Sequence, residues 1–262
     1  MTQACLESIF STTTYPDYEV IMVDNASSDG SVEMLREFAR KKKIRLIENK
    51  ANVGYSRGKN QGFALAKGGY VYMLDSDTLV DDGWLEKAVE TIELDDKIAA
   101  VGSFLYHPTE KPSPGESRME KRAVGGAGML MRRKALEEVG CLDAEAFSPY
   151  YGEEIDWCYR ARNRGWKILQ ANASRVRHWG SASTRKRHGK QAQYELMFTN
   201  TYKAMAINLG LLDLLQYVPG YLLIYWNAWR EGLLGLHLKA LANNWRNRAE
   251  LAALRRKRRQ GL

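Results

Sequence analysis

The sequence predicts an α/β domain with a largely parallel sheet flanked by helices, followed by a helical segment of different character. Three observations predict it. Short apolar runs alternate with amphipathic stretches through the first half of the chain, the pattern of strand–helix–strand units. Polar, acidic turns follow several of those runs, where an open α/β sheet places its ligands. Charge also divides along the chain: residues 1–159 carry 19 Lys/Arg against 27 Asp/Glu, and residues 160–262 carry 20 against 4. With 262 residues the chain can bury one full core and still carry an appendage.

Taken in order, Cys5–Ser11 reads as a helix and Glu19–Val23 (EVIMV) as a strand. Ser31–Arg40 is a helix with Val32, Leu35, Phe38 and Ala39 on one face. Ile44–Ile47 is a strand, Ser56–Ala66 a helix, and Tyr70–Leu74 (YVYML) a strand apolar on both faces. Trp84–Leu94 is helical and Ile98–Ser103 a strand, while His107–Glu120, rich in Pro, Ser and charge, reads as a mobile loop. From Gln191 the character changes. Leu209–Trp229 is strongly apolar but is interrupted by Asp213, Gln216, Pro219, Gly220 and Asn227. A spanning helix wants about 20 mostly apolar residues, so this stretch predicts an interfacial helix with Trp226, Trp229 and Trp245 at the lipid boundary, the alternative being helices packed on the catalytic domain with a solvated basic tail. The expected division is a catalytic domain over 1–190 and a basic, aromatic, membrane-associating segment over 191–262, closing on Arg255–Arg259.

Composition removes several classes. Cys5, Cys141 and Cys158 are odd in number and form no CxxC pair, which argues against a disulfide framework and a cysteine zinc site. Met1–Pro16 has no basic n-region and no unbroken apolar core, so no secretory signal is expected. The basic half calls for a polyanion. It also holds the apolar run, which a nucleic-acid face does not need, so an anionic membrane surface is the expected partner and nucleic acid is not.

Four segments carry chemistry. Asp75 and Asp77 flank Ser76 at the end of the apolar strand; such a pair suits Mg²⁺ or Mn²⁺ with substrate phosphates, or a plain surface turn. A DxDxT phosphatase is disfavoured because Leu79 stands where threonine is required. Asp24, opening DNASSDG after a short strand, is placed to accept a hydrogen bond from a nucleoside or to form an ordinary turn. Asn52–Gly62 (NVGYSRGKNQG) matches neither GxGxxG nor a Walker loop, yet its glycines permit close backbone approach. Glu153, Glu154 and Asp156 crowd a predicted helix start, where the helix dipole favours acids and where a carboxylate can also serve as general base.

The order DNASSDG, NxGxxxGxNxG, DSD, GGAGMLMRR, EExDWCYRAR and RHWGSAS, spanning about Cys5 to Ser183, resembles the inverting glycosyltransferases of family 2, and within them the rhamnosyl- and galactofuranosyl-type branch. The resemblance implies the GT-A fold, a Rossmann-like α/β architecture, and a metal-dependent transfer from a nucleoside-diphosphate sugar to a glycan or lipid-linked acceptor in cell-surface polysaccharide synthesis. It implies that Asp24, Asn52, Arg57, Asn60, Asp75, Gly126 and Ala127 contact the nucleotide sugar. Asp75, Asp77 and His178 are implied to hold Mg²⁺ or Mn²⁺, and Glu154, with Glu153 and Asp156 beside it, to be the catalytic base. A cytoplasmic enzyme, peripheral at the inner face of the cell membrane, is the expected setting. Family members begin with an apolar strand before the first helix. This chain starts at that helix, so a central strand is expected to be missing and a sheet edge left open.

Overall fold

The computed structural model describes residues 1–111, 115–180 and 182–259. Its strands form two sheets. The smaller pairs β1 (Ile21–Asp24) with β2 (Arg45–Glu48) in parallel. The larger contains β3 (Tyr70–Leu74), β4 (Thr78–Val80), β5 (Ile98–Tyr106), β6 (Arg118–Lys121), β7 (Gly128–Arg132) and β8 (Lys167–His178). Its spatial order is β3-β7-β5-β8-β4, with β6 also on β8. Helices α1 (Thr2–Thr12), α2 (Ser31–Arg40), α3 (Tyr55–Leu65), α4 (Trp84–Ile92), α5 (Arg133–Val139) and α6 (Glu153–Asn163) accompany these strands. Four more follow: α7 (Ala182–Asn208), α8 (Leu211–Arg230), α9 (Leu234–Arg246) and α10 (Arg248–Arg259).

The architecture is the predicted α/β layer, but the sheet is mixed rather than largely parallel. β5 runs parallel to β8, whereas β7 runs antiparallel to both β3 and β5, and β4 and β6 run antiparallel to β8. Direction is set by connections that local pattern does not carry: β7 inserts between β3 and β5 and turns both of its neighbours into antiparallel partners. Its register places Met131 opposite Val71 and Met129 opposite Met73. All four side chains are buried, in a cluster closed by Leu136, Trp157 and Ile168. On the other face Ile92, Val101, Leu130 and Val176 pack with Trp84 of α4. The predicted loop His107–Glu120 is likewise shorter than expected, because Arg118–Lys121 forms β6. That strand is mostly exposed and charged, so only its pairing with β8 makes it a strand.

β1 is paired on one edge only, by β2, and β3 on one edge only, by β7, among the described residues. Both β1 and β3 line one cavity of about 2280 Å³, together with Cys5 and Ile9 of α1 and Phe63 of α3. The large sheet and the small one are therefore separated by open space lined largely by apolar side chains.

The C-terminal helices are not a loose extension. Ala204 and Ile207 of α7 and Leu251 of α10 share a buried cluster with Phe147, and Ile155 of α6 packs against it. The terminal basic run is correspondingly only partly solvated: Arg256 and Lys257 are exposed, whereas Arg255 and Arg258 are partly buried. Arg255 donates to the Leu209 carbonyl at 2.7 Å, closing the end of α7, and Arg258 reaches Asp143 and Asp156; the Arg259 side chain lies outside the described residues. No helix among the described residues is long and apolar enough to cross a membrane.

Candidate active site

The acidic pair sits where β3 ends. The Asp75 backbone N–H donates to the Ala127 carbonyl at 3.3 Å, and Thr78 Oγ1 donates to the Asp75 carbonyl at 2.7 Å. These bonds tie the Asp75–Asp77 turn to the approach to β7 on one side and the start of β4 on the other. Because β4 pairs with β8 so that Thr78 faces His178, the end of β8 delivers an imidazole to the acidic turn. His178 Nε2 lies 3.3 Å from Asp77 Oδ1, and the Trp179 N–H donates to the Asp77 carbonyl at 3.2 Å. One ligand atom each from Asp75, Asp77 and His178 fall within 4.8 Å of one another. Two hard carboxylate oxygens and an imidazole in that space suit a divalent cation of the Mg²⁺/Mn²⁺ kind.

Two residues that sequence reasoning passed over complete this corner. Tyr55 donates its hydroxyl hydrogen to Asp75 Oδ1 at 2.8 Å, and Lys59 Nζ lies 2.9 Å from the same oxygen and donates to the Leu74 carbonyl. Tyr55 and Lys59 are four apart on α3 and so share a face; that spacing was the available signal. Burial works to raise the Asp75 pKa, but the Lys59 charge and the hydrogen bonds from Lys59 and Tyr55 outweigh it and hold the carboxyl below its usual range. His178 shows the converse. Burial disfavours its cation, yet the hydrogen bond and charge of Asp77 prevail and raise its pKa.

A second acidic group reaches the same cavity from the start of α6. Gly152 precedes that helix at φ 87°, and a Cβ there would lie 2.8 Å from the Asn200 carbonyl oxygen, so the entry requires glycine. Glu153 is 3% exposed, and its Oε2 has no hydrogen-bond partner among the described residues. Glu154 is partly exposed and packs on Gly126: a Cβ at Gly126 would stand 3.3 Å from Glu154 Cβ and 2.9 Å from Met73 Cε. Burial raises the pKa of both glutamates; the charge of Glu154 adds to the shift of Glu153, and the charge of Asp75 to that of Glu154. A carboxyl shifted upward in a cavity is a competent proton acceptor near neutral pH.

Asp156 does something else. It is fully buried (0% exposed), does not line the cavity, and is bonded to Arg160 (2.8 Å), Asn208 (2.8 Å) and Arg258 (3.0 Å). The expectation of a third catalytic acid is corrected: two residues beyond Glu154, the helix has turned this carboxylate into the protein interior. Asn60 is corrected in the same way. Its amide both donates to and accepts from the Leu142 backbone, at 2.8 and 3.0 Å, and it too lies outside the cavity lining.

The remaining candidates do surround the cavity: Asp24, Asn52, Arg57, Asp75, Asp77, Gly126, Ala127, Glu153, Glu154 and His178. Asp24, at the tip of β1, is buried and accepts from the Ser27 N–H at 3.1 Å; Asn52 accepts from the Gly54 N–H at 2.9 Å. Arg57 is exposed. On the α6 side the cavity is walled by Tyr150, Tyr151, Phe198, Tyr202 and His237. Phe198 stacks on His237 at 3.7 Å between ring centroids, and Tyr202 Oη lies 2.6 Å from His237 Nδ1.

Fold and site together define a GT-A-type protein. A mannosyltransferase from Pyrobaculum calidifontis, solved with GDP-Man and Mn²⁺, superposes with a TM-score of 0.67 at 19% identity, covering 93% of this chain and 70% of that one. GalNAc-T7, solved with UDP, GalNAc and Mn²⁺, superposes with a TM-score of 0.60 at 17% identity, over 77% of this chain and 44% of that one. The chain belongs to glycosyl transferase family 2, whose model matches residues 1–141; a glycosyltransferase-like family 2 model matches residues 114–194. Relatives include an uncharacterized glycosyltransferase of Haemophilus influenzae, 35% identical over 99 residues, which are 37% of this chain and 31% of that protein. Glycosyltransferase AglE of Haloferax volcanii is 27% identical over 186 residues, 65% of this chain and 60% of that protein. The chain thus matches only about a third to three-fifths of the length of these relatives.

Proposed function

We propose that this protein is a metal-dependent inverting glycosyltransferase that uses a nucleoside-diphosphate sugar to extend a glycan or lipid-linked acceptor in cell-surface polysaccharide synthesis. The observation that carries this reading is that the Asp75–Asp77–His178 cluster and the upshifted Glu154 line one cavity. The mannosyltransferase and GalNAc-T7 are both solved with a nucleotide or nucleotide sugar and Mn²⁺, which supports assigning that donor class here. Asp75, Asp77 and His178 would hold a Mg²⁺ or Mn²⁺, which would supply positive charge toward the departing diphosphate. Asp24, Asn52 and Arg57 bind the nucleoside side of the donor, and Gly126 and Ala127 let it approach the sheet closely. Glu154 accepts the proton of the acceptor hydroxyl as that oxygen bonds to the anomeric carbon. The bond from that carbon to the diphosphate oxygen breaks on the opposite face, inverting the configuration. Glu153, buried beside it, is also raised in pKa, mainly by burial and then by the Glu154 charge, which favours its neutral form. The motif order favours a rhamnosyl- or galactofuranosyl-type donor.

Two structural features support finer parts of the reading. β1 and β3 each leave one edge unpaired among the described residues and both line the cavity, which supports a further strand completing the sheet beside Asp24 and Asp75. Residues 191–262 expose Trp226 (58%), Trp229 (60%) and Trp245 (70%), with Leu223, Leu238 and Leu241 also exposed, in a segment that carries 10 Lys/Arg against 4 Asp/Glu. That combination suits the interface of an anionic membrane, so we place the enzyme peripherally at the cytoplasmic face of the cell membrane, with catalysis in residues 1–190.

Calorimetry with UDP, dTDP and GDP, each with Mn²⁺ and with chelator, tests the central claim. Binding of one nucleotide that chelator abolishes is the expected result; silence toward all three, persisting when an apolar strand is fused ahead of Met1, would sink the activity.

A further inference from the structure

The run Arg255–Arg259 reads in sequence as a charged tail, yet Arg258 is turned inward and only 18% of its side chain is exposed. Its guanidinium Nη2 lies 2.7 Å from Asp143 Oδ2 and 3.0 and 3.1 Å from the two oxygens of Asp156. Asp156 belongs to the first turn of α6, the turn that carries Glu153 and Glu154. Asp143 opens the segment that leads into that turn: its Oδ1 accepts from the backbone N–H groups of Glu145 and Ala146 at 3.2 and 2.9 Å. One side chain of α10 therefore joins the two ends of the stretch that brings Glu154 to the cavity.

Among the described residues no other cation is placed to take over this role. Arg160, the second cation on Asp156, already donates to the Val139 and Cys141 carbonyls at 2.7 and 2.8 Å. Asn208 contributes one neutral hydrogen bond to Asp156. Without Arg258, two carboxylates are left with one cation whose remaining donors are committed, and a buried carboxylate without its partner moves toward water or rearranges. Movement of Asp156 rotates the first turn of α6, and Glu154 with it, because both lie on the same rigid helical turn. The donor-side residues Asp24, Asp75, Asp77 and His178 reside on other elements, β1, the β3–β4 turn and β8.

We propose that Arg258 is a positioning residue for transfer: it holds the first turn of α6 so that Glu154 faces the acceptor hydroxyl, making α10 a brace for the active site. The inference rests on Glu154 as the base. Arg258→Ala, Arg258→Lys and Asp143→Asn are compared with wild type in the full chain. Each is assayed for turnover, for affinity toward the nucleoside diphosphate with Mn²⁺, for the pH profile of turnover, and for hydrogen exchange at the amides of residues 153–158. For Arg258→Ala the expected result is a fall in kcat of about 10- to 100-fold, the scale of a misplacement near 1 Å, with nucleotide affinity within about twofold of wild type. The acid limb of the profile shifts, and exchange in the first turn of α6 rises by at least about tenfold. Arg258→Lys recovers part of the loss, and Asp143→Asn reproduces a smaller version of it. Turnover and exchange both unchanged would overturn the proposal, as would turnover and nucleotide affinity falling together in a protein that has lost its fold. Should wild type transfer no sugar from any donor, the proposed activity fails by itself. Exchange in α6 then decides whether Arg258 braces the helix.

Discussion

The first turn of α6 presents three carboxylates, and its two sides have opposite fates. Glu153 and Glu154 enter a cavity with few partners, are raised in pKa by burial, and are available for proton transfer. Asp156, two residues on, is fully buried but is held by two arginines and an asparagine. The comparison shows that burial alone does not make a catalytic acid or base: what separates these side chains is whether cations meet them. Asp75 lies between the extremes, buried enough to be perturbed, yet drawn downward in pKa by Lys59 and Tyr55.

Breaking the cavity side should give the largest effect. Glu154→Gln is expected to lower kcat by about 10²–10⁴-fold, the usual contribution of a general base, with nucleotide affinity unchanged by calorimetry. A parallel loss of binding would instead make Glu154 a donor-binding residue. Breaking the paired side is expected to act on stability: Asp156→Ala should cost about 3–5 kcal/mol, because it removes the buried anion that lies between Arg160 and Arg258. Denaturant unfolding checks this, and a loss under about 1 kcal/mol would show that the network is solvated. Removing the Asp75 support is a smaller change. Tyr55→Phe should weaken Mn²⁺ binding by about tenfold, the scale of losing a partner that orients a metal ligand, as read by titrating metal against nucleotide binding.

The pH dependence sharpens the same contrast. As the proposed base, Glu154 acts in its carboxylate form, so turnover should be lost as pH falls through its pKa, which burial raises above the ordinary 4.5. The acid limb of kcat should therefore appear at higher pH than an unperturbed glutamate gives, and a limb near that ordinary value would contradict the buried setting. The smallest expected effect lies on the exposed aromatic rings of α8. Trp226→Ser with Trp229→Ser should reduce flotation with anionic liposomes several-fold while leaving nucleotide binding intact; equal flotation would remove these rings from the membrane contact.

By itself, the sequence determined the alternating layer, the strand YVYML with Asp75 and Asp77 at its tip, and the helix start bearing Glu153 and Glu154. Each of these depends on neighbours within a few positions: apolar period, turn residues, and acids favoured at a helix N-terminus. Only the tertiary structure decided the rest. The pairing of β4 with β8 carries His178 to Asp77, and β7 slips between β3 and β5 to make the sheet mixed. The C-terminal helices return Arg258 to α6, turning a presumed tail into an internal partner. These outcomes depend on which distant segments become neighbours, and for buried charges the energy resides almost entirely in that choice. A carboxylate's local sequence is much the same whether an arginine from the far end of the chain reaches it or a substrate hydroxyl does.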